Sequence, residues 1–248
     1  MLPTKIINIP KSAHDGPVRM GDLTFMLFKL HWEREQCKDY YLRFHLPDSN
    51  IELNESWGAV SADFRIKYKH WLESRLEILS TEPGTEDYHG VLHWWSHRES
   101  YENRISIPNP EPVKNKIVIF PLIDARYNQE RNWPIRVFQE ILNEYRSYEG
   151  YERVICSANT FRNINTEGYT ISTDFMDNLN HLLESNIYVG GDTGFTHLAA
   201  ALDKPERLLK YYYAEGHHGG WPSDYTRPYA TKGQLLFFKR FDTDTWNY

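Results

Sequence analysis

Between residues 113 and 206, short apolar runs alternate with amphipathic stretches, and this alternation restricts the fold more than any other feature of the chain. "KIVIFP" (116–121) is a nearly continuous apolar run of the kind a parallel sheet buries on both faces. Pro134 opens the helical stretch "PIRVFQEILNEYRSY", because proline's missing N–H costs nothing in a first turn. "YERVICSA" reads as the next strand and "TDFMDNLNHLLESN" as a helix with Thr or Asp at its start. "IYVGG" is a third strand and "THLAAAL" the helix after it. Strand–helix alternation of this type predicts a doubly wound α/β unit with right-handed crossovers.

The N-terminal half follows the same grammar less regularly. "KIINI" (5–9) is a β-branched run closed by Pro10, followed by the loop "PKSAHDGPVRMG". Asp22–Glu35 has apolar residues at 23, 26, 27, 28 and 30, which predicts a helix capped by Asp22. "DYYLRFHLP" alternates as a second strand. "SADFRIKYKHWLESRLEIL" (61–79) is a long helical pattern with Phe64, Tyr68, Trp71, Leu72, Leu76 and Leu79 on one stripe, and "STEPGTEDYHG" is a loop after it. Three prolines, Pro108, Pro110 and Pro112, mark a linker. The expected organisation is a smaller N-terminal α/β domain over 1–108 and a Rossmann-like domain over 113–248.

A net charge of −6 without long like-charge runs neither demands nor forbids nucleic acid, since a local basic groove is compatible with an acidic total. The 8 Trp, 17 Tyr and 12 Phe supply many amphipathic rings, which suit sugar or base faces as well as cores. The two cysteines, Cys37 and Cys156, lie far apart without metal spacing and read as reduced, half-buried thiols. "MLPTKIINIP" has no signal-peptide core, and no apolar run reaches the roughly 18 residues of a membrane span, so a cytoplasmic protein is expected.

The chemistry concentrates in "IYVGGDTGFTHLAAALDKP" (187–205). A buried strand there meets a helix through Gly190-Gly191-Asp192-Thr193-Gly194, at the sheet edge where α/β proteins bind ligands. Glycines allow close approach to the backbone, and the first-turn N–H groups with the positive dipole end make an anion site. Thr193 and Thr196 add hydroxyls and His197 an imidazole, so a diphosphate is the natural guest. The bland alternative is a tight turn with Thr196 as N-cap and no ligand. Asp192 would repel an anion unless it pins the loop by accepting backbone N–H groups.

"GDTGFTHLAAALDKP" resembles the signature of the ADP-heptose:lipopolysaccharide heptosyltransferase family, with the pattern Asp-Thr-Gly-x-x-His-Leu-Ala-Ala-Ala-x-x-x-Pro matched from Asp192 to Pro205. "KIVIFPLIDARYNQERNWPIRVFQEI" is similar to that family's strand, loop and Lys-x-Trp-Pro element, with Arg131 where Lys is common. "MGDLTFMLFKL" is similar to its segment after the first strand. The resemblance is good over 113–206, patchy over 1–46 and absent over 47–112 and 207–248. It implies a GT-B fold, two Rossmann-like domains facing a cleft, and an inverting, metal-independent glycosyltransferase with no cofactor beyond a nucleoside-diphosphate sugar. It further implies that Asp22 is the catalytic base, that Arg131 neutralises the leaving diphosphate, and that Thr193, Gly194, Thr196 and His197 form the diphosphate site. Each has a plain counterpart: Asp22 as a helix cap, Arg131 as an ion-pair partner of Glu130 or Asp124, and His197 as a buried structural histidine.

Lys11, Ser12, Arg19, Asp192, Glu215, His217 and His218 are further candidates for donor or acceptor contacts. The adjacent histidines make a poor metal site, and no metal is expected. "HGVLHWWSHRESY" (89–101) reads as an aromatic core edge, with stacking on a sugar or base as its alternative, and 211–229 as a donor-side segment. The chain is shorter than typical heptosyltransferases, and "ERLLKYYYAEGHHGG" is polar where the family continues with an apolar strand. The acceptor is therefore open between a glycan such as lipopolysaccharide and a hydroxymethylated DNA base, the latter suggested by a phage-like compactness. DNA would need a basic stripe, for which Arg19, Lys67, Lys69, Arg98, Arg126 and Arg131 are available. A nucleotide-sugar epimerase or hydrolase, or a non-catalytic binding module, are the alternatives. The sequence leaves sugar, nucleotide and oligomeric state open.

Overall fold

The computed structural model describes residues 2–13, 20–51, 62–92, 106–121, 133–157, 163–191, 193–202, 207–214 and 235–241. The chain divides into two compact units, Met1–Pro108 and Asn109–Tyr248.

In the first unit, β1 (Thr4–Asn8) lies between β2 (Tyr41–His45) and the two-residue β3 (Glu86–Asp87), all parallel. Helix α1 (Met20–Gln36) connects β1 to β2, and α2 (Ala62–Arg75) follows β2. Two sequence expectations shift here. Helix α1 begins at Met20, not Asp22, because Met20 is itself buried and extends the apolar stripe by half a turn. Asp22 therefore sits inside the first turn instead of capping it. Helix α2 ends at Arg75, because Leu79 leaves the helical stripe to bridge Phe44 in parallel. Phe44 N–H donates to Ile78 O at 2.8 Å, and Ser80 N–H to Phe44 O at 2.9 Å. With 78–80 counted as the third extended segment, the spatial order by sequence is 3-2-1-4. The expected loop 80–90 also contains β3, held by Asn8, whose side-chain amide donates to Gly84 O and accepts from Gly84 N–H. A Cβ on Gly84 would stand 2.0 Å from Ile6 O, so only glycine lets these two backbones approach.

The second unit is a six-stranded parallel sheet in the order β6-β5-β4-β7-β8-β9. Its strands are β4 (Lys114–Phe120), β5 (Glu152–Cys156), β6 (Thr170–Ser172), β7 (Ser185–Gly190), β8 (Leu208–Ala214) and β9 (Leu235–Phe241). Counted from β4, the order is 3-2-1-4-5-6, which is that of dinucleotide-binding sheets. Helices α3 (Ile135–Arg146), α4 (Phe175–Glu184) and α5 (Gly194–Ala201) connect the strands. Ile117, Ile119, Ile155, Ile187 and Val189 face Val137, Phe138, Ile141, Leu142 and Tyr145 of α3. The alternate residues face the other way, where Phe120 stacks on Tyr188 and meets Phe195 of α5. Pro134 occupies the N-cap of α3, one residue before the first turn the sequence assigned to it. Asp174 caps α4 as expected, accepting from Met176 and Asp177 N–H. The polar stretch after Pro205 is a correction: its residues 208–214 form strand β8, with Leu209 and Tyr212 buried. A tyrosine ring buries like an apolar side chain provided its hydroxyl is accommodated, so counting "KYYYA" as polar concealed the strand.

Arg207 is wholly buried and donates to the carbonyls of Leu182, Ser185 and Ala199, tying the ends of α4 and α5 to the start of β7. At the same end of the sheet, buried Lys116 of β4 meets Glu184 at 2.6 Å, Glu152 at 3.2 Å and His181 Nδ1 at 3.1 Å. Hydrogen bonds from Lys114 and Lys116 hold the Glu184 carboxyl at about 2, below its ordinary 4.5. Burial, then Lys116, lowers His181 below its ordinary 6.5. Both groups bind protons more readily when unfolded, so both contribute stability that is lost on acidification, His181 below 6.5 and Glu184 between 4.5 and about 2. Urea midpoints measured from neutral pH downward should therefore fall, and fall less steeply below 4.5 in Glu184→Gln.

Candidate functional site

Where strand order reverses, between β4 and β7, two chain segments leave the sheet side by side at its C-terminal edge. One departs at Pro121 and comes back at Trp133, whose N–H donates to Pro121 O at 3.4 Å. The other is the glycine turn after β7, anchored by Gly191 N–H to Phe120 O at 3.4 Å. A crevice at such a reversal is where open α/β sheets hold ligands.

The turn itself is built from hydroxyls. Thr193 is extended (φ −131°, ψ 160°) and is the N-cap of α5, its Oγ1 accepting from Thr196 N–H. The sequence had offered Thr196 as the cap. Thr196 is instead buried, donates to Gly191 O and bonds the Tyr188 hydroxyl at 2.7 Å. A hydroxyl has one proton to donate, so Thr196 spends its own within the turn rather than on a guest. Thr193 is partly exposed, as are Gly194 and Phe195, whose amides belong to the helix's first turn. His197 is buried under the same turn.

Gly190 has a different purpose from the one its sequence suggested. A Cβ there would stand 2.3 Å from the Tyr188 hydroxyl and 2.6 Å from its ring, so the glycine makes room for Tyr188. Tyr88 and Gly90 repeat the arrangement in the first unit, again at 2.3 Å. The signal was present as Tyr-x-Gly: residues two apart on a strand share a face, and a ring folded along that face needs a bare neighbour.

In the first unit the reversal lies between β1 and β3. Lys11 and Ser12 are exposed in a single 3-10 turn after β1, and Ala13 O accepts from Leu92 N–H at 2.8 Å, joining the segments that follow the two strands. Helix α1 follows the first of these segments, with Asp22 in its first turn. That turn is pinned by Thr24, whose hydroxyl reaches Met20 O at 3.0 Å and the buried Tyr68 hydroxyl at 3.0 Å. Sequence reasoning missed Thr24, Tyr68 and Tyr188, because a buried tyrosine cannot be told from core filler without its partner.

The Asp22 side chain lies outside what the structure describes, as do Arg19, Arg131, Asp192, Glu215, His217 and His218, with Arg98, Arg126 and most of 89–101 and 211–229. Of the basic stripe, Lys69 is corrected: it is buried, paired with Asp48 at 2.6 Å and Glu73 at 2.9 Å, so it presents no charge to a polyanion. Lys67 is exposed. Cys37 is half-buried and Cys156 buried, both as free thiols. Among the described residues no three His, Cys, Asp or Glu side chains converge as a metal site would need, and no helix is long and apolar enough to cross a membrane.

No protein-family model matches the sequence, and no curated protein does. Solved structures do resemble it. The chain is similar to the E. coli heptosyltransferase WaaC solved with ADP, at a TM-score of 0.51 and 11% identity, over 95% of this chain and 93% of that one. A glycosyl transferase family 9 protein from Veillonella parvula gives a TM-score of 0.49 at 11% identity, over 98% and 87%. The fold class is GT-B, with two Rossmann-like units.

If Gly190 serves Tyr188 rather than a ligand, Gly190→Ala should lower unfolding free energy by about 1–3 kcal/mol through overpacking. Urea denaturation of the ligand-free protein checks this, since a glycine kept only for ligand approach would leave that stability unchanged.

Proposed function

We propose that the protein is an inverting, metal-independent glycosyltransferase that moves a sugar from a nucleoside-diphosphate sugar to an acceptor hydroxyl. The observation that carries this reading is the Thr193-capped start of α5 at the β4/β7 reversal of a 3-2-1-4-5-6 sheet. A helix N-terminus at that edge favours an anion, and a leaving diphosphate is the anion whose charge grows as the glycosidic bond breaks. The GT-B fold shared with a heptosyltransferase solved with ADP supports a nucleotide sugar as donor.

In this mechanism the Thr193 hydroxyl and the Gly194 amide hold the diphosphate, with His197 beneath them. Arg131 adds a guanidinium, whose forked donors suit phosphate oxygens. Asp22 takes the proton of the acceptor hydroxyl as its oxygen attacks the anomeric carbon from the face opposite the leaving group, which inverts the configuration. Interactions that strengthen as charge moves to the diphosphate lower the barrier, not merely the ground state. Lys11 and Ser12, exposed in the turn after β1, contact donor or acceptor from the first unit in this reading. The acceptor is a glycan or a hydroxymethylated DNA base, and Lys69, withdrawn into an ion pair, adds no charge to a basic stripe for the latter.

Release of nucleoside diphosphate across a panel of nucleotide sugars, with glycan and hydroxymethylated-DNA acceptors present or absent, tests the reading. Acceptor-dependent release is expected, and silence throughout would sink it. Release without acceptor would indicate a hydrolase, and conversion of the donor into an isomeric nucleotide sugar without release an epimerase. Asp22→Asn should lower kcat by about 10²–10⁴ with donor KM little changed. Donor binding with no turnover to lose in that variant would mark a binding module instead.

A further inference from the structure

Three hydroxyls meet beneath the glycine turn, and their proton bookkeeping assigns them different tasks. Tyr188 lies on β7 and is completely enclosed, with its ring stacked on Phe120 and laid over Gly190. Its hydroxyl is 2.7 Å from Thr196 Oγ1. The Thr196 proton goes to Gly191 O, so the short Tyr188–Thr196 bond must be donated by Tyr188. Burial, the largest influence, pushes the Tyr188 phenol above its ordinary 10.0, so the proton stays in place at any physiological pH. Thr193 adjoins both members of this pair, through a side-chain hydrogen-bond interaction with Tyr188 and a long 3.4 Å contact to Thr196, while its oxygen accepts the Thr196 amide.

The chain Tyr188 O–H to Thr196 Oγ1, and Thr196 O–H to Gly191 O, thus satisfies itself without the Thr193 proton. It also fixes two points of the turn, the Gly191 carbonyl on one side and the third residue of α5 on the other. Thr193 stands between those points. Its backbone is closed by Thr193 N–H to Gly191 O at 2.9 Å and by the Thr196 amide, so its side chain has one orientation in which to cap α5.

We infer that Tyr188 is a positioning residue for the diphosphate cradle: through Thr196 it holds the Gly191–Thr193 turn so that the Thr193 hydroxyl and the first-turn amides of α5 face the anion. The inference rests on the proposed donor site and deepens it. Tyr188 touches no substrate, and its effect reaches the ligand only through the turn. A phenylalanine at 188 keeps the ring over Gly190 but leaves Thr196 Oγ1 without its donor. The Thr193 proton is then drawn inward to Thr196, which removes it from a phosphate oxygen.

The test is calorimetric titration with the mono- and diphosphates of adenosine, guanosine, cytidine and uridine, on the full chain. The wild type should bind at least one nucleoside diphosphate more tightly than its monophosphate. Tyr188→Phe and Thr196→Val should each lose about 10-fold of that diphosphate preference, while Thr196→Ser, which retains the hydroxyl, should keep it. Monophosphate affinity should move less than diphosphate affinity, which general loosening of the fold would not produce. Should Tyr188→Phe fail to fold, the Thr196→Val and Thr196→Ser pair decides alone. A wild-type preference that survives in Tyr188→Phe or Thr196→Val overturns the positioning role and leaves the donor site standing. A wild type that binds none of the diphosphates overturns the donor site and this inference with it.

Discussion

Parallel pairing of β4 with β7 is the constraint on which the second unit depends. Parallel strands cannot be joined by a tight turn, so each must be followed by a connection that starts at the same sheet edge. Because β5 and β6 lie to one side of β4, and β7, β8 and β9 to the other, the strands that follow β4 and β7 in sequence lie in opposite halves of the sheet. Two apolar strands thereby set the kind of strand-order reversal at which open α/β sheets hold ligands, before any functional side chain is considered. The seven residues of β4, five of them buried, supply the pairing, and the ladder from Ile117 to Phe120 along β7 sets which residue of each strand reaches the edge.

The edge is then furnished by polar groups taken out of water. A buried hydroxyl without a partner costs about 1–3 kcal/mol, so Tyr188 and Thr196 are tolerated only because each answers the other. Thr24 and Tyr68 make the same kind of pair at the first turn of α1. In both units a tyrosine from a neighbouring strand or helix therefore reaches the hydroxyl of a helix's opening turn, which makes those two openings firmer than helix ends usually are. Glycines divide between tasks: Gly190, read initially as ligand space, and Gly90 clear room for rings, and Gly84 for a backbone carbonyl.

Much of this was legible in the sequence. β1, β2, β4, β5, β7 and the helices between them announce themselves by apolar period, and the order of βα units was sufficient to foresee a doubly wound sheet. Boundaries set by tertiary contact were not legible: α1 starts early because Met20 finds a core, and α2 stops early because Leu79 finds Phe44. Strand β8 was hidden by tyrosines that count as polar on paper, of which Tyr212 buries in the fold, and β3 by being two residues long. At the candidate site, the cradle turn and its helix were readable from glycine, threonine and the following alanines. The exchange of roles between Thr193 and Thr196 was not, since both carry the same group and only their burial distinguishes them.

Arg207 gives the second unit a mechanical coupling that outlasts any one contact. Its guanidinium sits in the interior and holds carbonyls from the end of α4, the start of β7 and the last turn of α5. Lifting α5 away would strand a cation in a medium that cannot solvate it, so the helix does not peel off by itself. The amides of α4, β7 and α5 should accordingly exchange with solvent as one cooperative block rather than by fraying from the cradle inward. A loop that looks from outside like the softest part of the sheet is moored, through the helix it opens, to its least accessible charge.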